Sequence, residues 1–353
     1  MFTGIAIIVL FIFTGGLTFI EKYLGKYKLP IYIFLCIIIV LLAGLREVGI
    51  DPDSENYERA YRNYYTTEAS EGVEFSYILI SSILNIFSND VHLLFICYAM
   101  MGVCLKFIAF RHYSKLWFLP VLVYLGFYYE LHEMTQIRTG VLSGLFLLSI
   151  KYLAEGKRLI YVFFIIFGAF FHVSAILLLP FIFISNRNIS FTNSLFWALL
   201  IPFGYFIYFF TSTILIQIDL PYIGTKLATY QAATEKGISQ IQINVFSPRQ
   251  LFTTLIFYYL LYFRNTITVF NKYFPIMLKI SAIGLLSFTV LGFLPVLAER
   301  VSYLFLIVNI ILISNIYYTL KPTWAGNLLV FLIAFVYLNY SLPYVSFHLL
   351  WNG

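Results

Sequence analysis

The stretch IYIFLCIIIVLLAGL, residues 31–45, decides the fold, because none of its positions carries a charge. A second stretch, LIYVFFIIFGAFFHVSAILLLPFIFI at 159–184, contains His172 but no acid, lysine or arginine. A transmembrane strand alternates polar and apolar residues, whereas these runs are solid. In a bilayer core every backbone N–H and C=O needs an internal partner, so such a run folds as a helix. About 20 apolar residues cross the core. Further apolar segments lie at 1–20, 91–110, 116–131, 137–154, 194–216, 250–263, 273–295, 301–319 and 324–342, with a shorter one at 77–87. The 353 residues are 61% hydrophobic and 11% charged, and mean hydropathy is +0.89. Soluble domains carry roughly 25% charged residues, so this composition excludes one. The expected fold is all-α, a polytopic transmembrane helical bundle forming a single integral membrane domain over 1–353. No Lys or Arg precedes the apolar run 1–20 and no small-residue cleavage site follows it, so it reads as a span that stays.

Charge sets the expected orientation. Basic residues cluster in short loops at 21–28, 111–115, 155–158, 185–193 and 264–272, and at Lys321. By the positive-inside rule these lie in the cytoplasm, which accounts for much of the net charge of +6 without any nucleic acid. An even number of crossings must then separate successive basic loops. The count closes with about ten full spans if 77–87 dips in and returns and 159–184 is two half-helices meeting near His172. Both long loops, 46–76 and 217–249, then fall outside. The first holds eight acids and three arginines. Cys36, Cys97 and Cys104 all sit in apolar runs and read as small buried hydrophobes.

Ionisable groups within a membrane domain are costly and mark function by default. Lys106, Lys151 and Lys279 lie near the cytoplasmic ends of their segments, where snorkelling to the interface explains them. The external side is different. Arg46 ends a span, Arg59 and Arg62 lie three apart, and Arg138 follows Glu130, His132 and Glu133. Arg249 opens a span after Pro248, and Arg300 sits beside Glu299 between two spans. Arginine presents a planar fork that grips phosphate oxygens, so several of them outside imply an anionic headgroup; a lone one could equally anchor a helix to lipid. His172 is a general-base candidate or a hydrogen-bonded core histidine. Asp51 and Asp53 are base candidates or caps of a helix starting near Ser54. Glu130 is a further base candidate.

Five ordered segments carry a resemblance: LLAGLREVGIDPDSENYERAY (41–61), VEFSYILI (73–80), MTQIRTGVLSGLFLLSIKYLAEGKR (134–158), FFHVSAILLLP (170–180) and ERVSYLF (299–305). Together they resemble the EpsG family of exopolysaccharide proteins. One departure is Arg138-Thr139 where that family usually has Arg-Gln, with Gln136 two residues earlier, so no role for that glutamine carries over. Segment 185–290 has no matching motif. The resemblance implies a Wzy-type polymerase with a GT-C-like membrane fold. Such a glycosyltransferase joins oligosaccharide repeat units carried on undecaprenyl diphosphate at the outer face of the bacterial cytoplasmic membrane. It implies no metal and no nucleotide sugar, and a flippase and a chain-length regulator as companions. It also implies substrate roles for Tyr57 and Tyr303, which lie in the first and last segments.

The residues agree with that reading: external arginines suit a diphosphate leaving group, and an acid or His suits deprotonation of an acceptor hydroxyl. A lipid-linked oligosaccharide flippase or transporter would also need a charged cavity and broken helices, though no matched halves are visible. A membrane-bound sugar acyltransferase would use a histidine but leaves the arginines without a task. A purely structural subunit would not need a charged cavity at all.

Overall fold

A computed structural model describes residues 2–64, 74–215 and 243–341. Residues 65–73 of the first predicted external loop and most of the second, 216–242, lie outside the described residues, as does the tail from 342. The described residues form helices α1 (Phe2–Ile20), α2 (Lys28–Gly44), α3 (Ser54–Arg62), α4 (Phe75–Leu84), α5 (His92–Tyr113), α6 (Phe118–Gly126) and α7 (Ile137–Ala154). There follow α8 (Arg158–Ala169), α9 (Phe191–Leu215), α10 (Pro248–Tyr262), α11 (Arg264–Phe270), α12 (Phe274–Val290), α13 (Pro295–Phe305), α14 (Asn309–Ser314) and α15 (Thr323–Ser341). No strand occurs among the described residues. The chain is a polytopic helical bundle.

Seven helices among the described residues are long and apolar enough to cross a membrane: α1, α2, α5, α7, α9, the continuous run Pro295–Thr319 through α13 and α14, and α15. Three of the ten expected spans are carried by shorter elements. They are α10 with 15 residues, α12 with 17, and α6, whose nine residues lead into a wider π turn at Glu130–Thr135. Many large apolar side chains face outward, including Ile12, Phe34, Phe163, Phe206 and Leu255, as expected where lipid rather than water is the solvent.

The two irregular segments take short forms. α4 has ten residues, a rise of about 15 Å, half of a hydrocarbon core. Segment 159–184 is split: α8 ends at Ala169 and a 3₁₀ helix runs over Val173–Phe183. The halves pack on each other, with Tyr161 Oη donating to the Leu178 carbonyl at 2.5 Å, and His172 lies at the bend.

The basic loops gather at one end of the bundle. Lys28 Nζ donates to the Lys115 carbonyl at 2.8 Å, Asn271 Nδ2 to the Tyr113 carbonyl at 3.3 Å, Tyr273 Oη to Glu155 at 3.1 Å and Arg264 Nε to the Ile189 carbonyl at 2.9 Å. The opposite end carries α3, α4, the π turn and the starts of α7, α10 and α13.

Two lysines expected to snorkel do not. Lys106 is fully buried, with Nζ 2.6 Å from both Glu133 Oε1 and the Gly140 carbonyl. Lys279 donates to the Ser185 and Arg187 carbonyls at 2.7 and 2.9 Å. Partners distant in sequence supply what the interface was expected to supply. Gly102 and Gly140 leave room for this arrangement, since a Cβ at either would strike Glu133 or the His132 carbonyl. The Lys106–Glu133 pair pins the π turn between α5 and α7. Lys106→Met leaves a buried carboxylate without its counter-charge, an expected cost of about 3–5 kcal/mol. The double variant Lys106→Met/Glu133→Leu should recover most of that. Thermal stability of the detergent-solubilised variants checks both; equal loss in single and double would deny the pair this role.

Candidate functional site

The loop after α2 folds on itself. Gly49, at φ +89°, makes a turn that side chains rarely permit, and its N–H donates to Ser54 Oγ at 2.8 Å. Asp51 Oδ1 accepts the N–H groups of Asp53 and Ser54, capping α3, while Oδ2 takes Arg46 Nε at 2.9 Å. Asp51 therefore has the capping role rather than a free carboxylate. Arg46 is shut in, 1% exposed. Its remaining nitrogens donate to the Ala43 and Met134 carbonyls and its face lies 3.9 Å from the Phe95 ring centre. The structure thus makes Arg46 a strut that ties α2 to the π turn, not a cation offered to a substrate.

Above that strut several predicted residues meet. Arg138, at the start of α7, pairs through Nη1 with Glu74, and its Nε is buried with no partner among the described residues. Its guanidinium lies 5.9 Å from the ring centre of Tyr57 and 6.0 Å from that of Tyr77. The other oxygen of Glu74 is 3.8 Å from His172 Nε2. Arg300, exposed on α13, acts electrostatically on both His172 and Asp53, and Arg138 acts on the same two. Arg138 and Arg300 thus lie within electrostatic reach of both His172 and Asp53, with Tyr57 beside Arg138, although Asp53 and Arg300 lie far apart in sequence.

His172 caps the 3₁₀ helix. Its Nδ1 accepts the Ser174 N–H at 3.1 Å and lies 2.7 Å from Ser174 Oγ. A nitrogen that accepts a backbone N–H carries no proton, so the neutral ring bears its hydrogen on Nε2, towards Glu74. In this tautomer neither ring nitrogen offers a lone pair to a hydroxyl: the one on Nδ1 is taken by the Ser174 N–H, and Nε2 carries the hydrogen, 3.8 Å from Glu74 and beyond hydrogen-bond reach.

Asp53 is half-buried, and no described residue donates a side-chain hydrogen bond or an ion pair to its carboxylate. Burial raises its carboxyl above the ordinary range; Arg300 opposes the rise, Asp51 adds to it, and Arg138 opposes it. Beside it lies a cavity of about 180 Å³ lined by Pro52, Glu130, Gln136, Arg249, Glu299 and Tyr303. Glu130 is nearly buried, with Oε1 unpartnered among the described residues. Arg249, fixed at the start of α10 by the Ser247 cap and Pro248, reaches Glu299 at 3.4 Å and lies 4.8 Å from the Tyr303 ring centre. Tyr303 Oη donates to Glu299 at 3.5 Å.

Arg59 and Arg62 do not join this group. Both are exposed on α3, and Arg62 pairs with Glu58 at 2.6 Å within its own helix. Conversely, Glu74, which bridges Arg138 and His172, was not among the candidates expected to do chemistry. Its signal was its place in VEFSYILI, an acid before an aromatic and a helix. No group of three His, Cys, Asp or Glu side chains suited to a metal occurs among the described residues.

The chain matches the sequence model of the EpsG family over residues 29–352. No curated protein and no solved structure matches it. Since the family match covers nearly the whole chain, in an all-helical membrane bundle, the chain belongs to the EpsG family, whose members are Wzy-type polysaccharide polymerases.

Proposed function

We propose that the protein lengthens a polysaccharide at the outer face of the bacterial cytoplasmic membrane. It would transfer a growing chain from undecaprenyl diphosphate to a hydroxyl of the next lipid-linked repeat unit. The observation that carries this reading is that Arg138 and Arg300 lie within electrostatic reach of Asp53, a half-buried carboxylate without a side-chain partner among the described residues, at the end of the bundle opposite the basic loops. The basic end faces the cytoplasm by the positive-inside rule, which turns the cleft outward.

The acceptor hydroxyl attacks the anomeric carbon while the bond from that carbon to the diphosphate oxygen breaks. The electron pair goes to the diphosphate, whose growing charge Arg138 and Arg300 stabilise. The hydroxyl proton goes to Asp53 and then to water. Glu74 holds Arg138 in place, and His172 lies on the other side of Glu74 with its Nε2–H turned towards it. Arg249, Glu299 and Tyr303 form the wall of the adjoining cavity, where the acceptor sugar fits, with Glu130 at its floor. Tyr57 packs beside Arg138, its ring centre 5.9 Å from the guanidinium.

Purified protein given synthetic lipid-linked repeat units tests the function. Polymerisation predicts longer lipid-linked chains in detergent, where no compartments exist to transport between. Unchanged chains in detergent, with movement of the same lipid across proteoliposome membranes, would make the protein a flippase instead.

His172→Gln tests the role given to the imidazole. Glutamine can donate an N–H but takes up no proton at neutral pH, so this variant should stay within about tenfold of the parent rate. A loss of about 10²–10⁴-fold, the usual size for a missing general base, would return the base role to His172.

A further inference from the structure

At the basic end a second cavity of about 310 Å³ lies between the end of α5, the α11–α12 turn and the segment after α14, lined among others by Arg111, Lys115, Asn271, Lys272, Asn315 and Tyr318. Its polar lining is dominated by donors. Arg111, Lys115 and Lys272 have no carboxylate partner within 4.0 Å among the described residues. The nearby acids are already committed. Glu21 pairs with Lys28 at 2.8 Å and accepts the Trp117 and Phe118 N–H groups, while Glu155 takes Lys157 and Tyr273. Asn315 is 1% exposed, and its Nδ2 has no hydrogen-bond partner among the described residues. A buried donor left unpaired costs about 1–3 kcal/mol, and an acceptor in this cavity would relieve it. The Arg111 guanidinium rests 4.6 Å from the Trp117 ring centre, which orients it without neutralising it.

Three unneutralised cations and an orphan amide donor around one cavity call for an anion with several acceptor oxygens. We propose that this cavity binds a phosphate group, held by Arg111, Lys115, Lys272 and Asn315 Nδ2. Two sources share that chemistry, a phospholipid headgroup and a soluble phosphate. The surroundings favour the lipid: Phe270, which lines the cavity and stacks on Tyr318 with ring centres 4.5 Å apart, is 51% exposed, and Val269 before it on α11 is 81% exposed. Apolar side chains there would meet acyl chains, and basic pockets between helix ends are a known mode of holding anionic headgroups. The site is separate from the cleft and independent of the reaction proposed for it.

The test compares the parent protein with Arg111→Gln/Lys272→Gln and with Lys26→Gln, which removes an exposed charge at the same end without touching the cavity. Native mass spectrometry would count phosphatidylglycerol retained from nanodiscs of equal phosphatidylglycerol and phosphatidylcholine. A parallel arm would titrate inorganic phosphate against chloride at equal ionic strength, read as thermal stabilisation. The parent and Lys26→Gln should retain phosphatidylglycerol equally, and the double variant should bind it about tenfold more weakly. Asn315→Leu, which keeps every charge, should also bind more weakly. Phosphate-specific stabilisation lost only in the cavity variants would support the site and assign it to soluble phosphate. Equal loss in Lys26→Gln, or binding unchanged in the double and Asn315 variants, would overturn the proposal.

Discussion

Asp53→Asn is expected to reduce chain elongation by about 10²–10⁴-fold, the range typical for removing a general base, while the protein stays folded and inserted. Asparagine keeps the shape of the side chain but takes up no proton. Stability should change little, because the α3 cap and the Arg46 anchor belong to Asp51, not Asp53. The parent enzyme should show a matching pH dependence. Burial sets the Asp53 carboxyl above the ordinary carboxylate range, so the group becomes protonated at a higher pH than an exposed Asp, near 3.9. The reaction needs the ionised form. Rate should therefore fall as pH drops through the raised value and level off above it. Initial rates across a pH series, with Asp53→Asn as the comparison, check both statements. A full rate in Asp53→Asn would move the base to Glu130, whose Oε1 is also unpartnered among the described residues.

Arg138→Lys is the second large effect, an expected loss of about 10²–10³-fold, the size found when one donor to a developing anion is removed. Lysine keeps the charge and the ion pair with Glu74 but loses the planar fork. In the parent, Nη1 of that fork is spent on Glu74, so the rest of the planar guanidinium is what the substitution removes. A lysine ammonium drawn to Glu74 has no rigid second edge to present. If Arg138 merely anchored α7 to lipid headgroups, lysine would serve as well, because both side chains snorkel. Elongation rates with protein amount normalised by gel filtration decide the matter, and a near-parental rate would assign Arg138 to anchoring.

How far the sequence revealed these features depends on whether the physics was local. Hydropathy is local, so the helical bundle was legible from solid runs such as 31–45. The interruption of 159–184 was legible too, because charge bookkeeping demanded a return near His172 and α8 does end at Ala169. Helix length was less so: apolar segment 116–131 breaks into α6 and a π turn, since Glu130, His132 and Glu133 must find partners inside the bundle. Depth was not legible at all for Lys106. Its place seven residues before Tyr113 suggested the interface, but its partner Glu133 lies on a different element.

The site shows the same division. An arginine at a span end is visible in sequence; whether its donors are already spent is not. Arg46 and Arg138 look alike in that respect, yet Asp51 and backbone carbonyls consume the first inside the bundle, while the second pairs with Glu74 and stays partly exposed. Asp51 and Asp53 are two residues apart, and only the turn at Gly49 decides which becomes the cap. Glu74 escaped although its place in VEFSYILI marked it, because its charge reads as one more acid of an acidic loop until Arg138 and His172 are seen on either side of it.

The most direct test of the account is a structure of the protein bound to an undecaprenyl-linked sugar whose diphosphate is replaced by an uncleavable diphosphonate. The account predicts the diphosphonate between Arg138 and Arg300, with the sugar's anomeric carbon turned towards Asp53 and the lipid leaving between helices at that end. A diphosphonate lodged on the lipid-facing perimeter, or at the basic end beside Arg111 and Lys272, would contradict it.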